Sequence, residues 1–243
     1  APEDGFLRSM VLVESGATSL SLIVDDMGIH YDASRPSRLE HWIQAGPDWC
    51  DAAMRARARR LIDQIVRLRL SKTNLGQPLD RSVLRPGRRI LIVDQTRGDA
   101  SIAGGLATES TFDQMVETVR ALEPAAQLIV KRHPAVAAGR KQGCISASNL
   151  SGTTLIDTDI AAPDLLDQVD GVHVVTSGLG FEALLRGLPV HCHGLPFYAG
   201  WGLTRDQLTT SRRGQTRDLE TVVAAALIAY SRYVDPVTGQ RCE

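Results

Sequence analysis

Val172-His173-Val174-Val175-Thr176-Ser177-Gly178-Leu179-Gly180-Phe181-Glu182-Ala183-Leu184-Leu185-Arg186-Gly187-Leu188-Pro189-Val190-His191-Cys192 decides how this chain folds. A run rich in β-branched residues, a Ser-Gly turn, an apolar helical stretch and a second apolar run predict strand, turn, helix, strand, with strands over 172–175 and 189–192 and a helix over 180–186. The same alternation recurs upstream. Strands are expected over 89–94, 128–131 and 153–156. Phe112, Met115, Val116, Val119 and Leu122 mark a helix at 3.6-residue spacing, and another short one starts at Pro163. Strands alternating with helices predict an α/β fold, a Rossmann-like parallel sheet covered by helices. A last helix is expected to bury Leu219, Val222, Val223, Ala226, Leu227, Tyr230 and Tyr233.

Toward the N-terminus, 20–24 alternates as a strand, Asp25-Asp26-Met27-Gly28 reads as a turn, and 29–31 as the return strand of a hairpin. Ser37 is placed to cap a helix from Arg38. A long helix is expected over 51–70, with Met54, Ala58, Leu61, Ile62, Ile65 and Val66 as its apolar stripe and most of its arginines outside it. Asn74-Leu75-Gly76-Gln77-Pro78 ends it, and a soft boundary falls near Leu84-Arg85-Pro86-Gly87.

The 243 residues carry 27 Lys and Arg against 28 Asp and Glu, a net charge of −1, so no global field points to nucleic acid. Only Lys72, Lys131 and Lys141 are lysines. Cations dominate between Arg55 and Arg89, which fits either a solvated helix face or an anionic surface or ligand nearby. The four cysteines are widely spaced without a CxxC pair, as in a reducing compartment. No apolar run reaches the ~20 residues of a membrane span and no signal peptide is visible. The expectation is a cytoplasmic protein, with peripheral contact at the inner membrane left open.

Ligands of parallel sheets bind outside the carboxyl ends of the strands. Three motifs sit at such ends: 95–101, 132–134 and 177–182. Lys131, Arg132 and His133 can neutralise phosphate oxygens, with Pro134 fixing the backbone beside them. Ser177 and the amides of Gly178 and Leu179 precede a helix and face any anion there. Asp99 follows a glycine, where aspartate commonly serves as a turn or cap residue. The loop Pro196-Phe197-Tyr198-Ala199-Gly200-Trp201-Gly202-Leu203-Thr204 gathers three aromatics of an aromatic-poor chain, and is either packed or ligand-facing. Gly178-x-Gly180-x-x-Ala183 loosely matches a dinucleotide fingerprint, but the acidic residue expected about 20 positions later is missing. Ser177 is no hydrolase nucleophile, because Val175 stands where GxSxG needs glycine. Asp157-Thr158-Asp159 spells a metal-binding DxD. The histidines of His191-Cys192-His193 share one face of a strand with no fourth zinc ligand evident.

The runs 176–185, 187–190 and 196–204, together with Glu3-Asp4-Gly5-Phe6-Leu7-Arg8-Ser9, 93–101, 131–134 and 230–243, resemble the KpsC/LipA type of capsular polysaccharide proteins across nearly the whole chain. The resemblance implies a retaining β-Kdo transferase with a GT-B-like α/β fold and an incomplete N-terminal half. On that basis 1–86 is expected to be a remnant of the N-terminal half on the acceptor side, and 87–243 a Rossmann-like nucleotide-sugar-binding domain, the chain being a truncated member. The implied donor is CMP-Kdo, the acceptor a Kdo-primed lysophospholipid, and the partners other capsule assembly and export proteins. No cofactor is implied and no metal, since a CMP donor has no diphosphate for Mg²⁺ to bridge.

The stretch 95–101 is similar to the QxxxDxS motif of these transferases. That similarity makes Asp99 the nucleophile, with Gln95 and Ser101 positioning it or binding the Kdo carboxylate. The His133-Pro134 pair, with Lys131, is implied to hold the CMP phosphate, alongside Ser177 and Gly178. Glu182 has two readings, a ribose acceptor or a first-turn glutamate stabilised by the helix dipole. Tyr198 and Trp201 are implied to contact substrate, Arg8 to lie on the acceptor or sugar side, and Asp4 to be a reserve acid or base. Relatives carry Gly-Leu-Gly after the Arg-Ser pair where this chain has Met10-Val11-Leu12. The alternative function is a non-catalytic carbohydrate- or nucleotide-binding scaffold of the capsule export machinery.

Overall fold

The computed structural model describes residues 2–4, 21–72, 76–235 and 237–242, the first three as backbone. In chain order the elements are β1 Pro2–Asp4, β2 Ser21–Val24, α1 Arg38–Gln44, α2 Gly46–Trp49, α3 Ala52–Arg67, β3 Arg89–Val93, α4 Ala100–Gly104, α5 Ser110–Leu122, β4 Gln127–Lys131, α6 Pro134–Ala137, α7 Ala147–Leu150 and β5 Thr154–Ile156. They continue with α8 Ala162–Leu166, β6 Gly171–Val174, α9 Leu179–Leu185, β7 Val190–Cys192, β8 Arg205–Asp206 and α10 Leu219–Val223, which runs into a π-helix Ala224–Tyr230, then β9 Ser231–Val234 and β10 Arg241–Cys242.

The expected parallel sheet is present. Six strands lie in the order β5-β4-β3-β6-β7-β8, all parallel. From β3 the chain winds outward through β4 to β5, then crosses back to β6 beside β3 and winds the other way. That is the doubly wound order with its switch point between β3 and β6. Strand alternation divides the core. Ile90, Ile92, Leu128 and Val130 face α5 through Phe112, Met115, Val116 and Val119. Leu91, Val93, Ile129, Val172 and Val174 face the opposite layer, which includes α8, α9, α1 and α3.

The N-terminal hairpin does not form. β2 pairs with β1 on one side and β9 on the other, in a four-stranded antiparallel sheet β1-β2-β9-β10. Residues 29–31 are turn because Asp25 is committed elsewhere. Its Oδ1 accepts from Met27 N (2.9 Å) and Gly28 N (3.0 Å), its Oδ2 accepts from Arg38 N (2.9 Å) at the start of α1, and the Tyr230 hydroxyl donates to it as well. The turn is thereby folded onto a helix terminus instead of reversing into a strand. Ser37 caps α1 as expected, its Oγ accepting from Glu40 N at 3.1 Å. The last expected helix stops at Tyr230. Tyr233 lies on β9 and its hydroxyl donates to Leu227 O, while Ser231 Oγ donates to Ala226 O, so side chains satisfy carbonyls that the π-turn leaves without partners. No described helix is long and apolar enough to cross a membrane.

One ion pair stitches the N-terminal helices to the sheet. Glu40 and Arg213 are each 3% exposed, with Arg213 Nε 2.7 Å from Glu40 Oε2, and Arg212 Nε reaches Glu40 Oε1 at 2.6 Å. Arg217 donates to the carbonyls of Ile43 and Gln44, closing the C-terminus of α1. Exchanging Glu40 for Gln leaves a buried guanidinium short of its charge partner, which costs about 3–5 kcal/mol. Urea denaturation of Glu40→Gln is expected to show that loss, with part of it restored in the double variant Glu40→Leu/Arg213→Met; a loss below about 1 kcal/mol would contradict the assignment.

His191 and His193 do share a face and meet His173 there. His173 Nδ1 lies 3.0 Å from His193 Nε2, and the His191 ring stacks on His173 at 4.3 Å. Burial, then the neighbouring histidine charges, push His173 down to about 3; burial pushes His193 down to about 4. Both folded values lie below the ordinary 6.5. The contribution is therefore fully present above pH 6.5 and is lost as pH falls toward 4. Replacing both rings (His173→Asn, His193→Gln) is expected to flatten the fall in stability over that window by up to about two protons, read from urea midpoints at each pH.

Candidate functional site

The switch point between β3 and β6 is closed by side chains. Gln95, just past β3, donates through Nε2 to Thr176 Oγ1 (3.0 Å) and Ser101 Oγ (3.2 Å). Its Oε1 accepts from Thr176 N (3.0 Å) and Thr176 Oγ1 (3.1 Å), and Ser101 Oγ is 3.1 Å from Thr176 Oγ1. A primary amide has two donors and two acceptor lone pairs, so Gln95 has no capacity left for a ligand. Gln95 is 5% exposed and Thr176 8%. Of the two roles expected for Gln95, positioning and carboxylate binding, these bonds fit positioning: it bolts the β3 loop to the β6 loop. Thr176, which the sequence reading passed over, is the other half of the bolt. A Cβ at Gly105 would sit 2.2 Å from the Thr176 methyl, so the packing around the bolt tolerates no extra atom.

Asp99 stands on the open side of this bolt, half-buried. It caps α4, its Oδ1 accepting from Ser101 N at 2.9 Å. The cap reading is thus correct as far as one oxygen goes, and it orients the carboxylate. His133 caps α6, its Nδ1 accepting from Ala135 N at 3.1 Å, with Pro134 at the first helical position. An accepting Nδ1 places the proton of the neutral ring on Nε2, which leaves an N–H donor. Burial lowers the His133 pKa, Asp99 opposes the shift, and Lys72, Lys141 and Lys131 add to it. The Asp99 and His133 loops are therefore electrostatic neighbours at one edge of the sheet.

Lys131 ends β4 and donates through Nζ to Ile160 O at 3.3 Å; burial lowers its pKa, against the charges of Asp159 and Glu182. Arg132 pairs with Asp157 at 3.2 Å, so the first carboxylate of the DxD sequence holds an arginine. Among the described residues no three His, Cys, Asp or Glu side chains are grouped as metal ligands. Glu182 points back from α9. Its Oε1 accepts from Lys72 N at 3.2 Å, while its buried Oε2 has no hydrogen-bond partner among the described residues, and burial raises its pKa. An unpartnered buried carboxylate oxygen is costly unless something completes it, and a ligand hydroxyl would.

Ser177 and Gly178 border the same edge. Ser177 Oγ accepts from Leu179 N at 3.3 Å, so one of the expected free amides is already satisfied, and a Cβ on Gly178 would meet nothing within 4 Å. Behind them lies the aromatic loop, and of its two readings the packed one is what forms. Tyr198 and Trp201 are 0% exposed and Phe197 7%. The Tyr198 hydroxyl donates to Ser177 O (2.6 Å) and Trp201 Nε1 to Phe197 O (2.8 Å), so both polar atoms are engaged within the protein. They are the wall that fixes Ser177. Gly180 is glycine because a Cβ there would strike the Tyr198 hydroxyl at 2.2 Å, which accounts for the loose dinucleotide fingerprint by packing alone. Asp4 lies on β1 opposite Leu22, described as backbone; Arg8 and Met10-Val11-Leu12 lie outside the described residues.

A family model described as "Capsule polysaccharide biosynthesis protein" matches residues 56–241. Over 99% of its length the chain is 42% identical to the capsule polysaccharide modification protein LipA of Neisseria meningitidis serogroup B, and 41% identical to the lipopolysaccharide-processing protein LpsZ of Rhizobium meliloti. It spans 36% of the former and 56% of the latter. Among solved structures it is similar to the β-Kdo 2,4 transferase of Thermosulfurimonas dismutans KpsC, with a TM-score of 0.91 and 42% identity over 100% of this chain and 75% of that one. The β-Kdo 2,7 transferase of the same KpsC matches at a TM-score of 0.77 and 33% identity, covering 99% and 73%. The α/β, GT-B-like architecture expected from the sequence is the one this chain shares with them.

If the Tyr198 hydroxyl serves only to pin Ser177, Tyr198→Phe should cost about 1 kcal/mol in urea denaturation and leave the fold intact by circular dichroism. No measurable cost would remove that bond from the scaffold.

Proposed function

This chain belongs to the capsule polysaccharide biosynthesis family, and from that premise we propose that it transfers Kdo from CMP-Kdo to a Kdo-primed lysophospholipid linker by a retaining double displacement. What supports the reading is that His133, Asp99 and Ser177 follow the carboxyl ends of three neighbouring strands, β4, β3 and β6, of one parallel sheet. In the first step Asp99 Oδ2 attacks the anomeric carbon. The bond from that carbon to the phosphate oxygen breaks, and CMP departs with the electron pair. The Nε2–H of His133 and the ammonium of Lys131 stabilise the charge gathering on the phosphate, beside Ser177 and Gly178. Glu182 Oε2 accepts from a ribose hydroxyl, which supplies the partner it otherwise lacks.

In the second step the acceptor hydroxyl displaces Asp99 from the sugar, and two inversions give net retention. Asp4 is the group assigned to take the acceptor proton. Gln95, Thr176 and Ser101 hold the Asp99 loop at its distance from the β6 edge. The reading places the protein in the cytoplasm, peripheral to the inner membrane where its lipid acceptor lies, among other capsule assembly and export proteins. The capping bond of Asp99 favours a second reading, a non-catalytic carbohydrate- or nucleotide-binding scaffold in which that carboxylate is purely structural.

The complete protein given CMP-Kdo and a Kdo-primed acceptor is expected to release CMP and lengthen the acceptor. Asp99→Ala should reduce CMP release by at least about a thousandfold while CMP affinity stays within about twofold. Retained turnover in the variant would remove Asp99 as nucleophile, and CMP binding without turnover in the unaltered protein would favour the scaffold.

A further inference from the structure

Two loops carry the groups that the proposed reaction brings together, the β3 loop with Asp99 and the β4 loop with His133, and the Gln95–Thr176 bolt ties the first of them to β6. A buried carboxylate outside the proposed chemistry ties the two loops to each other. Asp94 is the residue after β3 and is 2% exposed. Its Oδ1 accepts from Gln95 N (2.9 Å) in its own loop, and from Cys144 N (2.9 Å) and Ile145 N (3.1 Å) late in the connection that leaves β4. That connection runs from His133 through α6, and Arg140 N and Lys141 N fold back onto Ala135 O at 2.9 and 3.0 Å before it reaches Gln142. From there it lies along the β3 loop. Arg97 N donates to Gln142 O (2.9 Å), Cys144 N donates also to Gln95 O (3.1 Å), and Arg97 Nε donates to Gly143 O (3.1 Å). Ser146 N then donates to Asp113 Oδ1 on α5 at 2.9 Å, which anchors the far end.

The junction has no spare room. A Cβ on Gly143 would lie 2.1 Å from Asp94 Oδ2. That oxygen has no hydrogen-bond partner among the described residues, so Oδ1 makes the latch. A buried acceptor with three donors is stiff, because releasing it leaves three amides unpaired. We propose that Asp94 is a positioning residue that latches the Asp99 loop to the His133 loop and so sets the distance between the nucleophile and the leaving-group phosphate. The inference rests on the transferase reading above and adds to it a residue that touches neither sugar nor nucleotide. Misplacing a reacting group by about 1 Å costs on the order of a hundredfold in rate. Nucleotide affinity is carried by the β4 and β6 loops, so loosening the latch acts on turnover before it acts on binding.

The test uses the complete protein with CMP and CMP-Kdo as probes, and the variants Asp94→Asn, Asp94→Ala and Gly143→Ala. Asp94→Asn keeps an accepting oxygen at the Oδ1 position and is expected to retain kcat within about fivefold. Asp94→Ala removes the acceptor and is expected to lower kcat about a hundredfold with CMP affinity within about threefold. Gly143→Ala keeps the carboxylate but drives a methyl into Oδ2, and is expected to lower kcat about tenfold or more with the same retention of CMP affinity. It decides the question if Asp94→Ala does not fold by circular dichroism. A folded Asp94→Ala or Gly143→Ala with kcat within about twofold of the parent overturns the latch and leaves the transferase reading standing. A loss of CMP affinity as large as the loss of kcat does the same, since it marks Asp94 as part of the general scaffold. Asp94→Asn as impaired as Asp94→Ala overturns the assignment to Oδ1. A parent protein that neither binds CMP nor turns over CMP-Kdo overturns both readings.

Discussion

A carboxylate with almost no access to water, Glu40, sits between the guanidiniums of Arg212 and Arg213, and the placement of the site depends on it. Desolvating these charges is expensive, and the arrangement persists because the remaining donors are also satisfied. Arg213 Nη1 reaches Pro196 O at 2.6 Å, and its guanidinium lies 5.9 Å from the Trp201 ring centre. The consequence travels. Pro196 begins the aromatic loop, Tyr198 in that loop holds the carbonyl of Ser177, and Ser177 opens the turn after β6. A helix near the N-terminus and a loop some 170 residues later thus set the position of one wall of the cleft.

The opposite wall is set by the Gln95–Thr176 bolt. A parallel doubly wound sheet opens a crevice where its winding reverses, and nothing in the backbone ladder holds the two loops there together. A saturated amide does so with four hydrogen bonds, and it needs to be buried to be rigid. Asp99 is held one step further along the same loop, where its Oδ1 caps α4. Around it, arginines bind the carboxylates and carbonyls that shape loops.

Several site residues were legible before the coordinates and several were misread, and the difference is physical. The cap at Ser37 was legible because its signal is local, a side-chain oxygen within three residues of the amide it accepts from. The aromatic loop stayed open between packed and ligand-facing because Arg213, Phe181 and Ser177, which bury Phe197, Tyr198 and Trp201, all lie outside it. The hairpin at 25–31 was misread because Asp25 closes a bond to Arg38 N that competes with strand reversal.

Pattern and spacing alone determined the order of strands and helices from Arg89 to Cys192, their parallel arrangement, and which strand ends could carry a ligand, because two- and 3.6-residue periodicities and capping act within a few positions. Only the tertiary structure decided that Gln95 bolts two loops together, that Tyr198 and Trp201 are wall and not surface, and that β2 joins β9. Each of those outcomes depends on burial or hydrogen bonding between residues tens to hundreds of positions apart, and a local pattern carries no record of which distant group will supply the partner.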